Sequence, residues 1–405
     1  MEQEIHPSVF GAEALMETYS DNIILFGPDA LAQLGEELFL TDRETILLVM
    51  GGASARIPLR MILSSPVFRK PGLNMPRHEN VPPEPDTECV RAIVRTMERE
   101  QPDAVLAVGG GSVMDAAKAA YLSWQTGLDI DDLFGVNVAS TRFPERKFQR
   151  ICAMPTTAGT GSEVTPYSNI IDARTGVKKL LMDPVIIPEA AAVIPELTLT
   201  APEKLTRETG FDALVHSIES FLNFKAMAAH PEAEPWAPEA IRLIVRALPA
   251  ALRSPGDTEA RTHLSAAATL AGMAIRTSPT SLPHLLSYSF CGKASHGDAV
   301  AALLPHFWRF YLAEPEVRER TMRLAPFFHG NTPEEVIDSY CAFLRSCGGE
   351  TDPGRLAQTG AEMIDKLAED ALLNPVKLTG APRSVTPENC RAVFHEVLDP
   401  VWKRS

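Results

Sequence analysis

Cysteine is scarce in this chain: six in 405 residues, at Cys89, Cys152, Cys291, Cys341, Cys347 and Cys390. They are scattered, no CxxC occurs, and no disulfide framework suggests itself, so a reducing cytoplasm is the expected setting. Positive charge is also short. Lys and Arg number 38 against 52 Asp and Glu, a formal net charge of −14, which argues against unassisted binding to nucleic acid or an anionic membrane. No apolar run approaches the roughly 18 residues that would suggest a membrane span. The acidic opening MEQEIHPSVF lacks a charged region followed by an apolar one, so no signal peptide is expected. Repeats, low-complexity tracts and a GxSxG nucleophile motif are absent as well.

What is there reads as globular. The chain is 45% hydrophobic and 22% charged, enough for two or three domains with a sizeable core. The first half alternates short apolar runs with helical spacing. Asn22–Phe26, Thr45–Met50, Ala104–Val108 and Ile151–Pro155 read as strands, the middle two as strands buried on both faces. Asp29–Leu38 and a helix from about Asp86 to Arg99 lie among them. Strand–helix–strand order of this kind predicts a parallel sheet with helical crossovers. From Pro195 onward strand signals vanish. Thr200-Ala201-Pro202-Glu203 has the form of a capping box opening a long helix. Helical segments follow at Glu239–Leu252, Glu259–Ile275, His296–Tyr311, Pro333–Cys347 and Asp352–Leu372. The expected organisation is an α/β domain over 1–195 and an all-α domain over 196–405.

Two loops in the first half have the composition of phosphate binders. Gly109-Gly110-Gly111-Ser112 separates a strand from a helix. Without Cβ atoms that backbone can turn sharply, and the helix N-terminus adds partial positive charge. A tight turn that binds nothing is the plain alternative. Thr156-Thr157-Ala158-Gly159-Thr160-Gly161-Ser162 follows another strand and is dense in hydroxyls, suited to a nucleotide at a sheet's C-terminal edge or merely to capping what comes next. In the second half, Asp212 and His216 stand four residues apart, on one face of a helix. A carboxylate and an imidazole aimed the same way make half of a divalent-metal site, and a surface Asp–His pair or a satisfied buried histidine would look the same. Of the ten histidines, His284 and His296 would complete an Asp/His₃ set, with His306 as the competitor.

Taken together, GGGSVMDAAK (109–118), PTTAGTGSEVTP (155–166), GFDALVHSIESF (210–221), AGMAI (271–275), SHGDAVAALLPHFWRF (295–310) and LNPVKLTGAPRSVTPENC (373–390) resemble the iron-containing alcohol dehydrogenases, in family order and over nearly the whole chain. The resemblance implies a Rossmann-like N-terminal domain and a helical C-terminal domain, the architecture shared with dehydroquinate synthase, with the active site between them. It implies reversible NAD(P)-dependent aldehyde–alcohol interconversion with a divalent metal as Lewis acid, usually Fe²⁺ and sometimes Zn²⁺. Residue by residue it puts the pyrophosphate on Gly109, Gly110, Gly111 and Ser112. It sets Asp115 near the nicotinamide ribose, Thr156, Thr157 and Ser162 around adenine and phosphates, and Lys178 on the cofactor. Asp212, His216, His284 and His296 fall on the metal ligands. Homodimers are common among members.

Three departures sharpen the expectation. Many members carry an aspartate after the second strand. Here Gly51-Gly52-Ala53-Ser54-Ala55-Arg56 has no carboxylate, so Gly51, Gly52 and Ser54 would line a site favouring NADP over NAD, with Arg56 near. Many members have a second histidine four residues after the ligand at 284. Here Tyr288 stands there, a phenol that could relay the proton. The SLPHLLSY form is similar to a subgroup containing phosphonoacetaldehyde reductases, which would suit a short anionic aldehyde with Arg276 or Lys293 as counter-charge. The alternatives are a glycerol- or glycerol-phosphate-type dehydrogenase and a dehydroquinate synthase-like lyase. The lyase needs a basic substrate site that 195–310 does not offer.

Overall fold

The computed structural model describes residues 10–19, 21–38, 45–52, 55–148, 150–358, 360 and 362–402. The chain divides into two compact units, Met1–Ala201 and Pro202–Ser405.

The first unit is built on β1 (Ile23–Phe26), β2 (Ile46–Met50), β3 (Arg77–His78), β4 (Ala104–Gly109), β5 (Gly135–Val136), β6 (Arg150–Pro155), β7 (Tyr167–Ile171), β8 (Lys178–Met182) and β9 (Ala190–Val193). Six of them form one sheet in the order β1-β9-β6-β4-β2-β3. Every pairing in it is parallel. The apolar runs read from the sequence are its central strands, and their alternation explains why they lack a polar face. Leu47, Val49, Val105, Ala107, Ile151 and Ala153 pack into one core. Ile46, Leu48, Met50, Leu106, Val108, Cys152 and Met154 pack into another on the opposite face. Successive strand residues point to opposite sides, so a strand with a core on each side must be apolar throughout. The Thr87–Glu100 helix starts where expected, with the Asp86 side chain accepting from the Cys89 N–H at 2.8 Å. A small second sheet, β5-β8-β7, was not legible in the sequence.

The second unit is helical, with no strand among the described residues. Its longest elements are Glu203–Leu222, Trp236–Arg253, Thr258–Thr277, His296–Tyr311, Pro333–Ser346 and Cys390–Trp402. From Gly210 to Leu222 every residue is buried. That makes Glu203–Leu222 a core helix, packed against Trp236–Arg253, Thr258–Thr277 and His296–Tyr311.

Two expectations fail here. The capping box does not form: Pro202 is the N-cap, with no side-chain cap bond. Ala201 N–H instead donates to Thr198 O, so Thr200 sits in the preceding turn rather than opening the helix. The stretch from Asp352 to Leu372 is also not one helix but two, Pro353–Ala357 and Glu362–Ala371. Gln358 breaks it, adopting left-handed backbone (φ 52°) that closes the first helix.

One glycine sets how closely two helices approach. A Cβ on Gly297 would lie 1.9 Å from the Glu208 carbonyl oxygen, a backbone atom that cannot swing aside. Gly297→Ala should therefore force the start of His296–Tyr311 away from Glu203–Leu222 and cost about 1–3 kcal/mol. A urea midpoint in the variant equal to that of the parent would contradict this close packing.

Candidate metal centre and nucleotide loops

The Glu203–Leu222 helix presents Asp212, His216 and Glu219 at i, i+4 and i+7, one face of the helix. The short Leu282–Ser287 helix supplies His284, and the first residue of His296–Tyr311 supplies His296. Three imidazoles converge on one atom. His296 Nε2 lies 3.3 Å, His284 Nε2 3.4 Å and His216 Nε2 3.6 Å from Asp212 Oδ1. Asp212, His284 and His296 offer ligand atoms all within 4.8 Å of one another. The His216 ring stacks on His284 at 4.5 Å. All four predicted ligands are thus brought together, whereas His306 is engaged elsewhere, its Nε2–H donating to Thr351 O at 3.1 Å.

The protons on two of these rings follow from their neighbours. Glu219, fully buried, accepts from His284 Nδ1 and also from the Ser281 backbone N–H and hydroxyl at 2.8 and 2.9 Å. A carboxylate only accepts, so Nδ1 carries a proton; Nε2, 3.4 Å from the Asp212 carboxylate, donates there or, with a cation between them, turns a lone pair to it. Ser287 donates its hydroxyl to His284 O and so accepts from His296 Nδ1 at 3.1 Å, which aims that Nε2 inward too. His216 Nδ1 is buried and has no hydrogen-bond partner. Burial would raise the Asp212 carboxyl, but the surrounding histidines hold it well below the carboxylate range. Burial pushes His216 down to about 3. Burial opposes protonation of His284 as well, yet the Glu219 and Asp212 charges raise it.

Three ring nitrogens aimed at one carboxylate oxygen can be satisfied by protons on the rings or by a single cation among them. A tetrahedral ion with bonds of about 2.1 Å holds its ligands about 3.4 Å apart, which matches the 3.3–3.6 Å spacings around Oδ1. One oxygen and three nitrogens suit Fe²⁺ or Zn²⁺. The donor set therefore fits a divalent metal held by Asp212, His216, His284 and His296.

The cluster opens on one side. Side-chain exposure is 4–7% for Asp212, His216 and His284 but 32% for His296. Tyr288 stands on that side, its ring near-parallel to His296 at 6.5 Å. Lys377 Nζ donates to the Tyr288 hydroxyl at 3.0 Å and to Thr280 Oγ1 at 3.3 Å. Lys377, Glu219 and Ser287 were missed in the sequence. The i+7 spacing from Asp212 could have found Glu219; nothing local could have found Lys377. Of the two expected counter-charges, Lys293 is exposed in a turn and Arg276 is half-buried in the last turn of Thr258–Thr277.

In the first unit, β4 ends at Gly109 and the Gly111–Thr126 helix begins with Gly110 as its N-cap and no side chain capping it. The three glycines are also closely packed, Gly109 and Gly111 too tightly for a Cβ without a shift. A Cβ on Gly111 would meet Thr160 Cγ2 at 2.5 Å, one on Gly110 Thr157 Oγ1 at 3.1 Å, one on Gly109 Val113 Cγ2 at 2.5 Å. The hydroxyl-rich loop is thus laid directly against the glycine turn, with Thr156 N–H donating to Gly109 O at 3.0 Å. Buried Lys118 holds it there, donating to Ser162 Oγ at 2.9 Å, Thr165 O at 2.8 Å and Tyr167 O at 3.2 Å. Burial pushes the Lys118 ammonium down to about 8. Ser162, itself buried, donates to Asp115 Oδ1 at 3.0 Å, and Asp115 Oδ2 accepts from Asn169 N–H. Ser162 and Asp115 are therefore engaged within the protein. Ser112 Oγ accepts from Glu84 N–H, and the Glu84 carboxylate pairs with Lys178 at 3.2 Å. Gly51 and Gly52 follow β2, Arg56 opens the Arg56–Ser64 helix and is exposed, and Ser54 lies outside the described residues.

Known proteins share the family of this chain. The family model described as iron-containing alcohol dehydrogenase matches residues 21–195. That of the Fe-containing alcohol dehydrogenase family's C-terminal region matches 206–398. An NADPH-dependent butanol dehydrogenase of Clostridium saccharobutylicum is 31% identical, covering 92% of this chain and 95% of its own. The solved structure of an iron-containing alcohol dehydrogenase from Thermococcus thioreducens is 25% identical with a TM-score of 0.81, covering 94% and 99%. Sulfoacetaldehyde reductase from Bifidobacterium kashiwanohense, solved with NAD⁺, is 25% identical with a TM-score of 0.77, covering 94% and 98%. With both family models matching and the Asp/His₃ cluster assembled, the chain belongs to the iron-containing alcohol dehydrogenases.

Proposed function

We propose that this dehydrogenase reduces short aldehydes to alcohols with NADPH, using Fe²⁺ held by Asp212, His216, His284 and His296. The observation that carries the reading is the convergence of three imidazole Nε2 atoms on Asp212 Oδ1. When bound, the ion supplies Lewis acidity toward a carbonyl oxygen and the reduced nicotinamide supplies hydride. The chain's own residues do the rest. Glu219 and Ser287 orient His284 and His296. Tyr288, on the open side of the cluster, gives its hydroxyl proton to the product oxygen, and Lys377 orients that hydroxyl through their hydrogen bond. One aldehyde, one NADPH and one proton thus yield one alcohol and one NADP⁺.

On the nucleotide side, the uncapped N-terminus at Gly109–Ser112 receives the pyrophosphate. Thr156 and Thr157 stand beside it, Lys178 reaches the cofactor from β8, and Ser162 with Asp115 braces the loop. Arg56 and the carboxylate-free Gly51–Gly52 turn favour the 2′-phosphate of NADP. For substrate class we adopt a short anionic aldehyde of the phosphonoacetaldehyde kind, in keeping with the sulfoacetaldehyde reductase among the similar structures.

The direct test is NADPH oxidation by metal-loaded protein with a panel of short aldehydes; no turnover after iron or zinc is added back would sink the reading. Arg56→Ala should raise the KM for NADPH roughly tenfold with little change for NADH, and equal effects on the two would remove Arg56 from the 2′-phosphate. Glu219→Ala should weaken metal affinity about 10–100-fold, read by chelator competition. Unchanged affinity would mean that Glu219 does not orient His284.

A further inference from the structure

Resting on the reductase reading above, we propose that Lys377 is the subsite for the substrate's anionic group, and that this residue rather than Arg276 or Lys293 selects oxyanion-bearing aldehydes. Lys377 is half-buried, in the short Pro375–Thr379 helix. Its ammonium bonds two neutral hydroxyls, Tyr288 Oη and Thr280 Oγ1, and sits 5.2 Å from the Tyr288 ring centroid. Among the described residues no carboxylate pairs with it, and its protein partners are those two hydroxyls. A cation held partly out of water without a counter-ion is an incomplete arrangement that an anionic ligand completes.

Position supplies the second half of the case. The metal cluster is closed around Asp212, His216 and His284 and open at His296. Tyr288 stands at that opening, one ring from His296, with Lys377 against its far end. A carbonyl directed at the cluster past Tyr288 therefore carries any substituent one or two carbons away toward the Lys377 ammonium. The chemistry recognised is a compact oxyanion (phosphonate, sulfonate or carboxylate) on a two- or three-carbon aldehyde. A longer neutral chain would leave the cation uncompensated.

The test uses the metal-loaded full chain with NADPH, phosphonoacetaldehyde and propanal. Wild type should favour phosphonoacetaldehyde in kcat/KM. Lys377→Met should lower the ratio of kcat/KM for the anionic over the neutral aldehyde about tenfold or more. Lys377→Arg should restore most of that ratio. As a readout independent of turnover of the anionic substrate, methylphosphonate should compete with propanal in the wild type, with its Ki raised about tenfold in Lys377→Met. A wild type that reduces propanal and does not prefer phosphonoacetaldehyde overturns the subsite while leaving the reductase intact. So does a Lys377→Met variant in which both aldehydes lose activity in proportion and the methylphosphonate Ki does not move, since Lys377 would then act only through Tyr288. A wild type that reduces neither aldehyde with metal present overturns the reductase reading itself.

Discussion

Much of the second unit answers to one buried carboxylate. Asp212 sits in the centre of a core helix, where an unpaired charge would be costly. Three imidazoles crowd its Oδ1 at 3.3–3.6 Å, each aiming Nε2 at that one atom. The surrounding structure spends two further interactions on keeping them so: Glu219 on His284 and Ser287 on His296. Gly297 then lets the helix that begins at His296 come against the backbone at Glu208. Buried charge, oriented imidazoles and close helix approach are together what the proposed cation would need.

The nucleotide loops in the first unit follow a different logic. Gly109 is crowded by Val113, while Thr157 and Thr160 of the second loop lie where Cβ atoms on Gly110 and Gly111 would go. The loop is locked from beneath by Lys118, whose ammonium meets a serine hydroxyl and main-chain carbonyls instead of solvent. The outcome is a rigid turn at an uncapped helix N-terminus, which is what an anion site requires.

How much of this was legible from residues alone follows the range of the interactions. Spacing of four placed Asp212 and His216 on one helical face, and unbroken apolar runs gave the central strands, because both are local periodicities. His284 and His296 were candidates beside His306 until the family resemblance selected them, since no local pattern brings residues 72 or 84 positions from Asp212 to its side. Glu219 was hidden in plain sight on the same helix face, read as one more acid. Lys377 could not be seen at all, because its meaning comes from a contact with Tyr288 across 89 positions. The small β5-β8-β7 sheet escaped for the opposite reason: its strands are short and half-buried, with too little periodicity to register. The failed capping box and the interrupted helix at Gln358 are boundary matters, decided by the backbone of neighbouring turns.

The account rests on one ion held by one oxygen and three imidazole nitrogens. X-ray absorption at the iron edge on iron-loaded protein measures that directly. A single site with scatterers at about 2.0–2.2 Å, including imidazole contributions that diminish when His216, His284 or His296 is replaced by alanine, is the expected spectrum. Iron whose spectrum is indifferent to all three replacements would contradict the central claim.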